Sequence, residues 1–171
     1  MEYFAKSPNL QGHQETVKDH LQNVSALART YGEPLGLGNA AALEGAVHDL
    51  GKYTKSFQDV LKGLRTGVDH AMGGACYLEM CYRGRANIRP IVEAVNGHHD
   101  GLVAYDLIRS ELHALADDSK SVHGNNGKDP SIETKEQLTA AFAEFQKDFP
   151  NFRLPAPLPL PPSDILESML Y

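Results

Sequence analysis

The stretch Asn39-Ala40-Ala41-Ala42-Leu43-Glu44-Gly45-Ala46-Val47-His48-Asp49-Leu50-Gly51-Lys52 decides how the chain is read. Leu43, Ala46, Val47 and Leu50 recur at helical spacing, Asn39 is a fair N-cap, and Gly51 is the residue type that usually closes a helix. The pattern predicts a buried, alanine-rich helix from Asn39 to Leu50, with His48 and Asp49 on its last turn. Adjacent helical residues point about 100° apart. One metal ion can use both where the two directions converge, and the carboxylate can reach a second ion with its other oxygen. On its own the pair reads more simply as a core histidine beside a capping aspartate. The positions of the other histidines change that reading.

Working outward, a helix is expected from about Glu15 to Tyr31, ending at Gly32 with Pro34 beyond. Its apolar stripe is Val17, Leu21, Val24, Leu27, Ala28 and Tyr31, and His20 shares that stripe, so it should face inward. A short helix is expected over 54–61, with Phe57, Val60 and Leu61 on one side. Another should run from about Met72 to Cys81, directly after Asp69-His70-Ala71. Gly73 and Gly74 there leave room for close packing or for a ligand close to backbone. Pro90 suits the first turn of a helix over 88–99, which ends in Gly97-His98-His99-Asp100-Gly101. Helices over 106–116 and 133–149 complete the pattern, the latter amphipathic through Leu138, Ala141, Phe142 and Phe145. Residues 1–14 should be irregular, 117–130 a mobile loop, and 150–162 an extended proline-rich connector. A further helix begins at Asp164 and is cut short at Tyr171. No β-strand is expected, so the fold class is all-α, a single multi-helix bundle over 1–171.

Composition narrows the class of protein. The chain has 171 residues, 42% hydrophobic and 22% charged, which suits one soluble globular domain. There is no run of eighteen apolar residues, hence no expected membrane span. Met1-Glu2-Tyr3-Phe4-Ala5-Lys6 lacks the basic start and apolar core of a secretory signal. Cys76 and Cys81 lie in an apolar helical stretch where core packing is the ordinary role, and a cytoplasmic location follows. The net charge of −6 argues against a large basic DNA-binding face. It does not argue against a metal site that acts on phosphate, because bound cations reverse the local sign. Arg83, Arg85 and Arg89 form a small basic cluster, read as a solvated loop or as a phosphate-guiding patch.

His20, His48, His70, His98 and His99 thus fall at the ends or inward faces of separate predicted helices, joined by Asp49. Imidazole nitrogens suit Mn, Fe, Ni, Co and Zn, and a bridging carboxylate suits a two-metal centre. No cysteine accompanies them, so a structural zinc site is not indicated. Neither a serine elbow nor a phosphate-cradling glycine loop is present.

His20, the doublet His48-Asp49, His70 after Asp69, and the doublet His98-His99 follow an order that resembles the HD superfamily of metal-dependent phosphohydrolases. The surrounding words narrow the resemblance. His48-Asp49-Leu50-Gly51-Lys52-Tyr53 with Phe57-Gln58, Asp69-His70-Ala71 with Gly74-Ala75, and Gly97-His98-His99-Asp100-Gly101-Leu102 closely resemble the HD nuclease domain of the type I CRISPR effector nuclease-helicase. Tyr3-Phe4-Ala5-Lys6-Ser7 is similar too, although a histidine is more usual where Lys6 stands. The resemblance covers residues 1 to about 105 well and is weak from Ala116 to Pro162.

The resemblance implies a metal-dependent nuclease that degrades single-stranded DNA in antiviral defence. Its partners would be a helicase domain, on the same or a separate chain, and an RNA-guided CRISPR surveillance complex. His20, His48 and Asp49 would hold one divalent ion. Asp49 would bridge to a second, held also by His70, His98 and His99, with manganese, nickel, cobalt, iron or magnesium as candidates. Lys52 has two readings, a catalytic contact to the phosphate or leaving group and a solvated cap on the helix C-terminus. His13 reads as a surface residue or a partner to a ligand. The family pattern also includes a late aspartate that completes the first metal site. Here it is expected just beyond Tyr171, since Asp164 has the simpler role of an N-cap. Two rival functions follow from the same residues. An HD-type phosphodiesterase of cyclic dinucleotides would use similar ligands, but usually carries Gly-Tyr-Pro where this chain has Asp100-Gly101-Leu102-Val103. A catalytically silent docking module would not need the six ligands.

Overall fold

A computed structural model of the chain describes residues 2–82, 88–99, 101–116 and 135–152. Among these the structure is all-α, with seven helices: α1 (Val17–Gly32), α2 (Gly38–Val47), α3 (Lys55–Leu61), α4 (Ala71–Tyr82), α5 (Arg89–Gly97), α6 (Tyr105–Ala116) and α7 (Lys135–Asp148). Short 3₁₀ turns occupy Glu33–Leu35 and Leu50–Tyr53. Among the described residues no helix is long and apolar enough to cross a membrane. The loop expected over 117–130, most of the connector 150–162, Arg83, Arg85, Asp164 and the last helix lie outside the described residues.

Helix α1 begins because the Thr16 side chain accepts a hydrogen bond from the Asp19 backbone N–H, meeting one of the donors that a helix start leaves open. Val17 and Leu21 are fully buried on its inner face. The stripe expected from periodicity is wider than the buried one, for Leu27 and Tyr31 stand exposed. The reason is the partner: α2 crosses α1 closely enough that a Cβ on Gly45 would lie 2.9 Å from Ser25 Cα. That close crossing covers one side of α1 and leaves the flank bare.

Helix α2 departs from the expected 39–50 span. It starts at Gly38 without a side-chain cap, and Asn39 instead accepts a 2.6 Å bond from Arg29 of α1. It ends at Val47, with His48 as C-cap and Asp49 at φ −104°, ψ 21°, before the 3₁₀ turn takes over. Gly51 therefore does not close the helix. Its role is close approach, because a Cβ there would sit 2.2 Å from the carbonyl oxygen of His70. Gly73 and Gly74 take the packing reading as well, against the backbone of Gly51 and of Val47. Cys76 is buried as expected, but Cys81, one residue from the end of α4, is exposed.

One hydrophobic cluster joins these elements, with Val17, Leu21, Val47, Leu50, Leu78, Val92, Val95, Ile108 and Phe145 at its centre. Helix α7 closes it with the four apolar residues expected from its pattern. Tyr53 ties α7 to the 3₁₀ turn. Its ring packs edge-on to Phe145 and Tyr3, and its hydroxyl donates a 2.7 Å bond to Asp148. Burial and the Asp148 carboxylate push the Tyr53 phenol up, so it stays a donor at any ordinary pH. Tyr53→Phe should lower the unfolding free energy by about 1 kcal/mol, with an unchanged dependence on urea; an unchanged midpoint would remove this bond from the stabilising contacts. The N-terminal strap is fixed differently. Phe4 bridges antiparallel to Thr16, and the Gln58 side-chain amide bonds both to the Phe4 carbonyl and to its N–H. The strap brings Glu15 beside the first turn of α1.

Candidate metal centre

Helix ends converge on Asp49. His20 comes from the first turn of α1, and His48 caps the C-terminus of α2. His98 and His99 follow α5, and His70 immediately precedes α4. The Asp49 side chain is almost fully buried. Its Oδ2 lies 2.8 Å from His20 Nε2, 3.1 Å from His48 Nε2 and 2.7 Å from Lys52 Nζ. Its Oδ1 faces His70 Nε2 at 3.1 Å and His98 Nε2 at 3.4 Å. His99 Nε2 is 2.8 Å from His70 Nε2. Two donor groups result, His20–His48–Asp49 and Asp49–His70–His98–His99, each with its ligand atoms within 4.8 Å of one another. All five histidines singled out from the sequence, and Asp49, are thus brought together. His13 is exposed on the strap and not among them.

Local structure aims the rings. His48 Nδ1 faces the Gly45 carbonyl at 3.0 Å, and His98 Nδ1 faces the Val95 carbonyl at 2.6 Å. A carbonyl only accepts, so each Nδ1 carries a hydrogen, and Nε2 is the ring atom turned toward Asp49 and open to a metal. Anchoring of the outer ring nitrogen in this way is how proteins orient metal-binding imidazoles. His20 stands between two carboxylates, with Nδ1 3.5 Å from Glu15 Oε2. Lys6, 2.9 Å from the same oxygen, holds the Glu15 carboxyl below the usual range. His70 is held by the Phe57 ring, 5.0 Å away, by Gly51 against its backbone, and by Asp69, whose Oδ1 accepts from Ala71 N–H at 2.9 Å. The turn carrying His98 and His99 closes where Gly101 N–H donates to the Gly97 carbonyl. Gly101 has φ +93°, a conformation that favours glycine.

The electrostatics are those of a charge-dense, half-dry site. Burial works against the Asp49 carboxylate, but the surrounding imidazoles outweigh it and hold the carboxyl far below its ordinary range. His98 is opposed by burial and raised overall by Asp49 and the Val95 carbonyl; His99 is lowered by burial and by the neighbouring His98 and His70.

The donor set fits a divalent ion on an independent observation. Asp49 Oδ1 and His98 Nε2 are both buried and face each other at 3.4 Å without a well-aligned hydrogen bond among the described residues, and His70 Nε2 is the other neighbour of Oδ1, at 3.1 Å. Two unsatisfied polar atoms facing each other are costly in the absence of a shared cation. Five imidazoles with one carboxylate suit transition metals of borderline softness, and neither cysteine belongs to either donor group.

Two carboxylates were not singled out from the sequence. Glu15 was hidden because its reach to His20 depends on the strap. Glu44 was legible in retrospect, one helical turn before His48 on the same face. Burial raises the Glu44 carboxyl, against the attraction of His48 and His98. A raised folded value means its contribution is fully present below the unfolded value of about 4.3 and is lost as pH rises through the folded one. Glu44→Gln should therefore be more stable than the parent at about pH 8, with the advantage gone near pH 4; equal urea midpoints at the higher pH would contradict this.

Arg89 is the member of the basic cluster within the described residues. Its guanidinium stacks 4.9 Å from the Tyr105 ring, away from the histidines in sequence and on the other end of α5. Lys52 is not a solvated cap: its side chain is only 13% exposed and its ammonium lies on Asp49.

Comparison with protein-family models finds no match, and a search of curated proteins finds none either. The class that fold and site define is an all-α protein with a histidine–aspartate cluster able to hold metal.

Proposed function

We propose that this chain is a metal-dependent phosphodiesterase of the HD kind. Its substrate would be single-stranded DNA, cut in the cytoplasm as the nuclease arm of RNA-guided type I CRISPR defence alongside a helicase. The observation that supports it best is the convergence of four imidazoles, from four separate segments of the fold, on the two oxygens of one buried carboxylate, with His99 beside His70 as a fifth. The substrate and partners rest on the resemblance of the motif words.

In this reading His20, His48 and Asp49 would hold one divalent ion, and Asp49, His70, His98 and His99 would hold another. When bound, such ions supply positive charge against a phosphate and make water acidic enough to attack it near neutral pH. The chain's own residues prepare that chemistry. Asp49 offers one oxygen to each donor group. The Gly45 and Val95 carbonyls keep His48 and His98 from rotating their Nε2 atoms away. Lys52 contributes a further positive charge directly beside Asp49. His99 is the exposed ligand, so a polyanion approaches from the α5 side of the cluster. With a net charge of −6, attraction of DNA has to come from the loaded centre.

The test is cleavage of labelled single-stranded DNA with added manganese or nickel, beside a chelator control and a cyclic dinucleotide as alternative substrate. Metal-dependent cutting of DNA is expected. Turnover of the cyclic dinucleotide alone would move the function to the sister phosphodiesterases, and no metal-dependent hydrolysis of either would leave a docking module.

A further inference from the structure

We propose that Lys52 is a built-in cation that fills the first metal subsite until a divalent ion displaces it, so that the two subsites load in a set order. This rests on the metal-centre reading above and goes beyond it. The two oxygens of Asp49 are not equivalent. Oδ2, which serves His20 and His48, already has an ammonium at 2.7 Å. Oδ1, which serves His70, His98 and His99, faces imidazole nitrogens, His70 Nε2 at 3.1 Å and His98 Nε2 at 3.4 Å.

The backbone explains the asymmetry. The 3₁₀ turn Leu50–Tyr53 follows Asp49 directly, and the Lys52 N–H donates to the Asp49 carbonyl at 3.0 Å. Residues three apart eclipse in such a turn, so the lysine side chain folds back over the carboxylate. The centroid of the Phe57 ring, which also packs on His70, lies 5.4 Å from the ammonium. A lysine held in this way neutralises the carboxylate in the metal-free protein and sits on Oδ2, the oxygen that also faces His20 and His48.

A divalent ion reaching the Oδ1 side meets imidazole nitrogens and does not have to dislodge the ammonium from Oδ2. One reaching the Oδ2 side must move Lys52 out, against both the carboxylate and the Phe57 ring. The His70–His98–His99 subsite therefore fills first and tightly, and the His20–His48 subsite second and weakly. Once displaced, the Lys52 ammonium has lost its carboxylate and is free to meet a phosphate oxygen. The order of loading and the delivery of a positive charge to the substrate are then one event.

The experiment is a calorimetric titration of the chain with manganese chloride, for the parent and for Lys52→Met. The parent should show a tight and a weak event. The substitution should strengthen the weak event by roughly tenfold or more and leave the tight one unchanged, since it removes a competing charge at contact distance. Acylation of Lys52 in the parent chain, followed by mass spectrometry, reads the same displacement without a variant. The amine should react slowly in the metal-free protein and several-fold faster after the second event. Two binding events that Lys52→Met does not alter, or a Lys52 amine equally reactive throughout, would overturn the displacement while leaving the metal centre standing. No manganese binding by the parent would overturn both.

Discussion

Asp49→Ala is expected to abolish divalent-ion binding at both subsites together and, on the proposed function, to lower cleavage of single-stranded DNA by about a thousandfold. The expectation follows from geometry: one carboxylate serves both donor groups, through a different oxygen for each. Charge stabilisation of a phosphoryl reaction by metal ions amounts to several kcal/mol. Each 1.4 kcal/mol is about a factor of ten in rate, which sets the size of the loss. His99→Ala is the contrast, because His99 belongs only to the second group; it should weaken one binding event and leave the other. Metal content measured after dialysis separates the two variants. Equal content in Asp49→Ala and the parent would sink the bridging role of Asp49.

The same substitution acts on stability in the metal-free chain. Removing a buried carboxylate leaves the Lys52 ammonium without its partner, a change that costs about 3 kcal/mol in comparable settings. The pH dependence has a definite sign. The Asp49 carboxyl is depressed in the folded state, so its contribution is present above the unfolded value near 4 and is lost as pH falls toward the folded one. The parent should therefore exceed the variant in urea midpoint at about pH 7, and the difference should shrink below about pH 4. In the presence of excess manganese the gap widens further, because only the parent gains the binding free energy.

Much of the fold and of the donor set is legible in the sequence alone. Period-3.6 patterns placed α3, α4 and α7 within a few residues. Histidines at the ends of apolar runs identified the donor set, because helix ends are where a bundle can aim several short side chains at one point. What periodicity could not show was how far each helix is covered. Leu27 and Tyr31 belong to the apolar stripe of α1 but stand exposed, because the width of the buried face is set by how closely Gly45 of α2 approaches. The end of α2 was misplaced for a similar reason. Local sequence favours helix through Leu50, but the tight turn that seats Gly51 on His70 interrupts it after Val47. The pairing of Lys52 with Asp49 was out of reach as well. It depends on the turn being 3₁₀, and the choice of turn is decided by that tertiary contact.

Gly51→Ala is accordingly expected to damage fold and site together. A Cβ at this position would lie 2.2 Å from the His70 carbonyl oxygen and 2.8 Å from the His70 Cα, both backbone atoms that cannot rotate aside. The 3₁₀ turn and the start of α4 must move apart. Gly73 offers no slack, since its own Cβ position is 2.7 Å from Gly51 Cα. Overpacking of this kind costs about 2–3 kcal/mol, which for a domain of this size lowers Tm by roughly 5–10 °C. The functional loss is the sharper signature. His70 rides on the displaced backbone, so its Nε2 leaves Asp49 Oδ1 and the tight manganese event weakens while His20 and His48 keep their places. Gly63→Ala is the control: its φ of +71° makes alanine unfavourable by about 1 kcal/mol, but nothing lies within 4 Å of the new methyl. That variant should lose a little stability and no metal affinity. If Gly51→Ala behaves like Gly63→Ala, losing stability while binding manganese as the parent does, then His70 does not depend on this contact for its position in the metal centre.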